Sequence, residues 1–429
     1  MPTIPKIQKM TANSVEILNA IRAQADAEYQ NRIPIATQEN LREVGNAMMQ
    51  YRPAQNTFLN ALVNRIARVI ITSKSYQNPL REFKRGIMEY GETVAEYFVN
   101  IAKAHQFDPA VAEKEWMKRE IPDVQGVFHT MNYQNFYKVT ISDRELRQAF
   151  LSQDGVTDLI ARIVDSLYTG SEYDEFLIMK QLIVDAAQDG KMYPVQIPAI
   201  SAANAKEIVT IIKSISNDMA FMKAKYNSMG VLTATPKYDQ ILILDSRFDA
   251  VIDVEVLASA FNMEKAEFMG RRILIDDFAD LTGVVAAIVD SDWFMVFDNM
   301  LEFTENYNGE GLYWQYWYHC WKTFSNSPFA NAVLFTTDTV QATALTITPA
   351  APSTTKGQQI QFQAVVSGTG YIPQDVSWSV TGQQSQDTKI NRAGLLTVAA
   401  DETATSLTVK AISGYNPSIS KTVTVTVGA

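Results

Sequence analysis

The chain has 429 residues, 47% of them hydrophobic and 20% charged, with a net charge of −10. That is globular material for roughly two to four domains, and the acidic balance excludes wrapping nucleic acid by charge, which needs clustered Lys and Arg. The single cysteine, Cys320, excludes an intramolecular disulfide and suits assembly in a reducing cytosol.

The opening MPTIPKIQKMTANS has no apolar run of the secretory kind. The apolar stretch Val284 to Val289 is too short to span a bilayer. A soluble protein made in a cytosol, with no membrane partner, is therefore expected.

Helices are predicted over 14–30 and 37–50, with Ser14 and Thr37 as N-caps, and over 55–71, where Phe58, Leu59, Leu62, Ile66 and Ile70 share one face. The segment from about 73 to 141 opens at Asn78-Pro79 and mixes charges of both signs. Tyr97, Val99 and Ile101 alternate with smaller or polar residues, as do Tyr133, Tyr137, Val139 and Ile141. A continuous strand over 127–141 would run about 50 Å. Such strands project as an arm, with a charged helical insert near 109–120, and a half-apolar arm needs a partner surface. A bend that divides the segment into two shorter strands is the alternative.

A long helix is predicted from Ser142 or Asp143, with Leu146, Phe150, Leu159, Ile163 and Leu167 inward and a kink or a break at Gly155. A second covers 172–188 and ends at Gly190, and a third covers 202–223. Strands follow at Gln240–Asp245, Arg271–Asp276, Val284–Val289, Trp293–Phe297 and Phe329–Thr336, with a helix at Asp253–Phe261, as in an α+β domain.

At about residue 341 the chemistry changes. From Gln341 onward 24 of 89 residues are Ser or Thr, only nine are charged and none is Met, whereas all 16 methionines lie at or before Met300. Short strands at Thr343–Thr348, Gln359–Val366, Val376–Val380, Leu395–Val398, Ser406–Ala411 and Thr422–Val427, separated by turn residues, predict a β-sandwich with Trp378 as its central aromatic.

No catalytic constellation assembles. His105, His129 and His319 lack metal-ligand spacing. His319 and Cys320 point to opposite faces of a strand. Asp290-Ser291-Asp292 resembles a metal-holding DxD of glycosyltransferases, yet lies between two apolar strands where a turn is expected. Asp276-Asp277 reads as a solvated strand cap. The acidic group Glu89, Glu92, Glu96, Asp108, Glu113 and Glu115 is interleaved with Lys103 and Lys114, a mixed-charge face. The aromatic run Tyr313 to Trp321 reads as a strand buried on both sides or covered by a neighbouring subunit, in preference to a sugar-stacking platform.

Several segments resemble the major capsid protein of phi-29-like podophages: NPLREFKRG (Asn78–Gly86), DVEVLASAFNM (Asp253–Met263), DWFMVFDN (Asp292–Asn299), GLYWQYWYH (Gly311–His319) and FANAV (Phe329–Val333), in order along the chain. GLLTV (Gly394–Val398) is similar to bacterial Ig-like group 2 domains. The resemblance implies the α+β Hong Kong 97-type capsid fold. It places a body at 1–340, made of a helical N-terminal region (1–72), an E-loop arm (73–141), a spine helix and peripheral domain (142–194), a mostly axial domain (195–325) and a return strand (326–340). An Ig-like domain at 341–429 would face outward.

It further implies a non-enzymatic shell subunit without cofactors or metals, assembled in the host bacterial cytoplasm into a virion capsid. Its partners would be itself, in pentameric and hexameric capsomers, a scaffolding protein, a portal, and enclosed double-stranded DNA bound without sequence specificity. The residues expected at subunit interfaces are apolar Tyr97, Val99, Ile101, Tyr133, Tyr137 and Val139, with Arg81, Lys84 and Arg85 as charged partners at the arm's base. A surface adhesin, favoured by the Ig-like tail and the aromatic run, and a metal-dependent glycosyltransferase resting on Asp290 and Asp292 are the competing readings.

Overall fold

The computed structural model describes residues 14–51, 53–54, 57–58, 76–88, 93–102, 104, 124–144, 155–201, 203–251 and 271–428. Most of the expected helix over 55–71, the insert near 109–120, Leu146, Phe150 and the helix Asp253–Phe261 lie outside the described residues.

The first predicted helix is two, α1 (Ser14–Gln24) and α2 (Ala27–Arg32). Asp26 restarts the helix, its carboxylate accepting from the Tyr29 amide at 2.8 Å. Arg22 holds the turn by donating to the carbonyls of Gln30 and Ile33 at 2.6 and 2.8 Å. The next helix, α3 (Leu41–Gln50), has Asn40 at its N-cap instead of Thr37, whose amide donates to the Asn40 side chain.

A 3₁₀ turn at Arg81–Phe83 leads into β1 (Lys84–Ile87). The strands β2 (Val94–Val99) and β3 (Val124–His129) pair as an antiparallel ribbon. The single long strand expected over 127–141 is broken at 130–132, before β4 (Tyr133–Ser142). Asn132 explains the break. Its side-chain amide donates to the Phe324 carbonyl at 2.8 Å and accepts from the Phe324 amide at 2.9 Å, so a side chain takes the place of backbone pairing.

The two helices expected between 142 and 188 include one unbroken 34-residue helix, α4 (Gly155–Gln188). Gly170 does not interrupt it. The Tyr137 ring packs over it, 3.4 Å from where a Cβ would stand, an ordinary contact distance. The helix ends at Gly190 (φ +66°), where the amides of Gly190 and Lys191 donate to the carbonyls of Ala187 and Ala186 in a Schellman motif.

There follow β5 (Tyr193–Gln196), α5 (Ala205–Met219), β6 (Gln240–Asp245), β7 (Arg271–Ile275), β8 (Val284–Asp290), β9 (Phe294–Asn308), β10 (Tyr313–Asn326) and β11 (Ala332–Thr336). A mixed sheet runs in the order β5-β11-β8-β6-β7. Its three central strands, β11, β8 and β6, are continuous apolar runs because both faces are covered. Ile241, Ile243, Val289 and Leu334 pack toward α4, whereas Leu242, Leu244, Ile288 and Phe335 pack toward α5. The second sheet, β1-β9-β10-β4, is built on a hairpin of 15- and 14-residue strands. Trp314, Tyr316, Tyr318 and Cys320 point inward to a core shared with α1, α2 and α3. The aromatic run is thus buried on one face within its own chain, and its other face is half-exposed.

Four charges join these parts. Glu175 of α4 is wholly enclosed and takes Lys84 of β1 at 3.0 Å and Lys322 of β10 on the same oxygen, while Lys84 also meets Asp298 of β9 at 2.9 Å. Asn78 donates to the other Glu175 oxygen at 3.1 Å. Burial alone would raise the Glu175 carboxyl, but Lys322 and Lys84 outweigh it and hold it below its usual range. Burial would lower Lys84, but Glu175 and Asp298 hold it above its usual value. The stabilisation from Glu175 is therefore present above the ordinary carboxyl pKa and lost as pH falls through the lowered one. That from Lys84 is present below the ordinary lysine pKa and lost as pH rises through the raised one.

The tail comprises β12 (Gln341–Thr348), β13 (Ser353–Thr355), β14 (Gln359–Gln361), β15 (Gln363–Thr369), β16 (Val376–Thr381), β17 (Lys389–Ile390), β18 (Leu395–Thr397), β19 (Ser406–Ser413) and β20 (Ser420–Gly428). The strand expected over Gln359–Val366 divides at Phe362, whose amide turns to the Gly394 carbonyl. One core, with Ile347, Phe362, Leu396, Leu407, Val409 and Val425, holds the sheets together without a disulfide, and Trp378 packs against it. The tail is tied to the body. The Gln374 amide donates to the Gly190 carbonyl at 3.2 Å and the Tyr371 hydroxyl to the Thr282 carbonyl at 3.1 Å. No described helix is long and apolar enough to cross a membrane.

Three outcomes follow from this packing. Replacing Lys322 by Met strips a partner from a buried carboxylate and should cost about 3–5 kcal/mol. By contrast Arg85→Ala, which loses a pair with the largely exposed Asp292, should cost under about 1 kcal/mol, both read from denaturant midpoints. Gly190→Ala and Gly230→Ala each impose about 1–2 kcal/mol of left-handed backbone strain. Only at Gly190 would the added Cβ collide with the Ile372 carbonyl of the tail, so that variant should lose more and should raise amide exchange across the seam. Finally, Glu402 accepts from the Thr388 hydroxyl and from the amides of Gln384, Ser385, Thr403 and Ala404. The Thr388 bond leads these in holding its pKa down at about 2. Its contribution is present above the ordinary value of 4.5 and fades between there and about 2. Acid titration with hydrogen-exchange readout of the tail should show that loss, and Glu402→Gln should flatten it.

Candidate assembly interface

The β2–β3 ribbon has two unlike faces. Opposite one another stand Ala95 and Phe128, Tyr97 and Gly126, and Val99 and Val124. All six are exposed, Tyr97 and Phe128 each at 64%, and their rings meet edge to face. Ile101 continues the face at 55% exposure. The narrow Gly126 admits the Tyr97 ring, which occupies the space a Cβ would need. An apolar face of this kind on a monomer marks a surface that another molecule covers.

The reverse face is fastened. His129 is buried at the ribbon's root, with Nδ1 2.7 Å from the Ser325 hydroxyl and Nε2 3.1 Å from the Glu96 carboxylate. The Ser327 hydroxyl donates to the other Glu96 oxygen at 2.6 Å, and Phe98 stacks on Phe329. The ribbon's presentation is therefore set by polar contacts at its base and does not depend on the apolar face.

The remaining predicted interface residues lie elsewhere. Tyr133, Tyr137 and Val139 belong to β4, which pairs with β10 in the body sheet and not with the ribbon. The Tyr137 hydroxyl donates to Asp174 of α4 at 2.7 Å and sits 2.9 Å from the Tyr133 hydroxyl, and all three side chains pack against the chain's own cores. They were expected on the arm because β3 and β4 read as one strand; the break at 130–132 separates them. Lys84 is committed to the internal charge quartet, and Arg85 to Asp292 at 2.7 Å and the Phe294 carbonyl at 3.2 Å. Arg81 is exposed on the 3₁₀ turn. Val124 and Phe128 were not anticipated. Their alternation in VQGVF was visible, but only the pairing with β2 puts them beside Tyr97 and Val99.

The chemistry-bearing candidates resolve as structure. Asp290 and Asp292 flank the β8–β9 turn: Asp290 accepts from the Thr235 hydroxyl at 2.6 Å and from the Asp292 amide at 2.9 Å. Burial raises the Asp290 carboxyl. Asp276 and Asp277, expected to be merely solvated, both bind the buried Lys180 ammonium at 2.6 Å. His319 approaches the Thr304 hydroxyl at 3.1 Å, while Cys320 faces the core with its thiol raised by burial. Among the described residues no cluster of His, Cys, Asp and Glu could hold a metal.

Residues 18–336 match the profile of the Phi29-like phage major capsid protein, a span that ends where β11 ends. The major capsid protein of Bacillus phage B103 is 39% identical over 93% of this chain and 89% of its own length. That of Bacillus phage GA-1 is 36% identical over 86% of this chain and 79% of its own. The major capsid protein of Streptococcus phage Cp-1, 27% identical, is covered to 93% by only 74% of this chain. A chain in the capsid structure of Staphylococcus phage Andhra superposes with a TM-score of 0.51 at 16% identity, over 63% of this chain and 86% of that one. That likeness shows a shared mixed α/β capsid fold. With a family match over residues 18–336 and relatives of this kind over most of its length, the chain belongs to the Phi29-like phage major capsid protein family, whose named members are structural proteins of the phage head and not enzymes.

Proposed function

We propose that this chain builds an icosahedral or prolate shell of the Hong Kong 97 type in which the β2–β3 ribbon of each subunit lies over a neighbouring copy. The exposed apolar face of Tyr97, Val99, Ile101, Val124 and Phe128 carries this reading. Each contact is modest, but closed symmetry repeats it around every capsomer and multiplies its effect. Arg81, exposed near the start of β1, is the charged partner that remains available in position from the set at the arm's base. Tyr133, Tyr137 and Val139 contribute indirectly, by fixing β4 against α4.

In this reading α4 is the spine of the peripheral domain, the sheet β5-β11-β8-β6-β7 belongs mostly to the axial domain, and residues 341–429 are an Ig-like domain on the outer surface. The tail's strand pairing and disulfide-free core support that last assignment. A scaffolding protein and a portal guide assembly in the host cytoplasm. Double-stranded DNA is enclosed without sequence-specific contacts; five of the 37 basic and four of the 47 acidic residues lie in the tail, so the body carries −11, which limits adhesion of DNA to the wall.

The double variant Tyr97→Asp, Phe128→Asp tests the ribbon. Rate-zonal sedimentation, with any scaffolding partner present, should show folded subunits in place of fast-sedimenting shells, with the far-ultraviolet circular dichroism unchanged. Shells at normal yield would overturn the assignment.

A further inference from the structure

A cavity of about 1000 Å³ lies between the tail, the ribbon and the body loop 224–230. Four strands contribute to its wall: β3 at Val124–Gly126, β14 at Gln361, β15 at Gln363–Val365 and β16 at Val376–Trp378. Among the described residues β3 pairs only with β2, β15 only with β12 and β16 only with β19, so each keeps one edge open. Gln374, also in the wall, shows that the open edge of β15 faces this space. Its side-chain oxygen accepts from the Val366 amide at 2.9 Å and its nitrogen donates to the Val366 carbonyl at 3.0 Å, imitating a neighbouring strand at one residue. The Gln125 side-chain oxygen, in the same wall, is buried with no partner.

Native sheets blunt an open edge with charge, proline or a bulge. Neither β15 (QAVVSGT) nor β16 (VSWSVT) contains a charge or a proline, and β16 runs against β19 in unbroken register. Such an edge is shaped to receive an extended chain by backbone pairing.

Charge and position identify the occupant. A chain of net charge −10 repels its own copies, so self-contact is favoured where the surface is uncharged. A polyanion finds little there: Lys225 is held by Asp218 at 3.1 Å, and Arg392 stands with Asp375 in the same wall. Val124, half exposed, belongs both to the ribbon's apolar face and to the cavity wall. A copy that covers the ribbon is therefore already at the cavity mouth. We propose that an extended segment of a second copy of this chain enters the cavity and adds as a strand to the open edge of β16. This inference rests on the shell-building reading.

The test compares full-length assembled shells with dissociated subunits. Amide exchange in 376–381 should slow at least tenfold on assembly, and a cryo-electron microscopy map of the same shells should show backbone of a second copy hydrogen-bonded to β16. Ser377 and Ser379 are exposed, so the variant Ser377→Lys, Ser379→Lys should fold and should lose that protection. Shells that form with unchanged exchange in 376–381, or with the cavity holding only solvent or a non-protein molecule, would overturn the strand addition and leave the shell reading intact. Failure of the wild-type chain to form shells with its scaffolding partner would overturn both.

Discussion

The body is organised around a buried charge quartet. Glu175, Lys84, Lys322 and Asp298 come from α4, β1, β10 and β9, elements separated by up to 238 positions in the chain. Two positive and two negative charges balance, so the cost of taking them out of water is offset only when all four are in place. Such a group adds little to stability over a well-packed apolar cluster. It does penalise every arrangement that leaves one member alone. That is a specification device, and it fixes α4 in register against the long β9–β10 hairpin.

What is rigid inside allows the molecule to be sticky outside. The ribbon hangs from His129, Glu96, Ser325 and Ser327, and these polar contacts leave its apolar face unengaged. A residue such as Tyr97 would be a liability on a solitary protein. In a shell of identical acidic subunits it is a place where like charges do not oppose contact. The tail follows the same logic. It is fastened to the body through Gln374 and Tyr371, so any surface it offers is held against the body.

Much of this was legible in the residues. Local periodicity located α3 and most of the tail strands, because their burial follows the period of the element itself, and short continuous apolar runs located β6 and β8, which are covered on both faces. The change in Ser, Thr and Met usage marked the seam at 341, and the family profile stops at 336. The Asp290–Asp292 turn was likewise readable from its flanking apolar strands. Periodicity failed where a distant side chain intervened. Asn132 ends a strand by bonding Phe324, 192 positions away, and nothing in the alternation of 127–141 announces it.

The sequence by itself determined the helix or strand character of most described segments, that the tail is a separate β unit, that an intramolecular disulfide is excluded, and which family the chain resembles. These depend on neighbours a few positions apart or on composition. Only the tertiary structure decided which apolar residues remain on the surface. Tyr97 and Tyr137 have the same chemistry and the same alternating context, yet one lies exposed on a ribbon and the other packs against α4. The difference is the choice of strand partner, β3 for one and β10 for the other, and that choice is made by contacts between residues far apart in the chain.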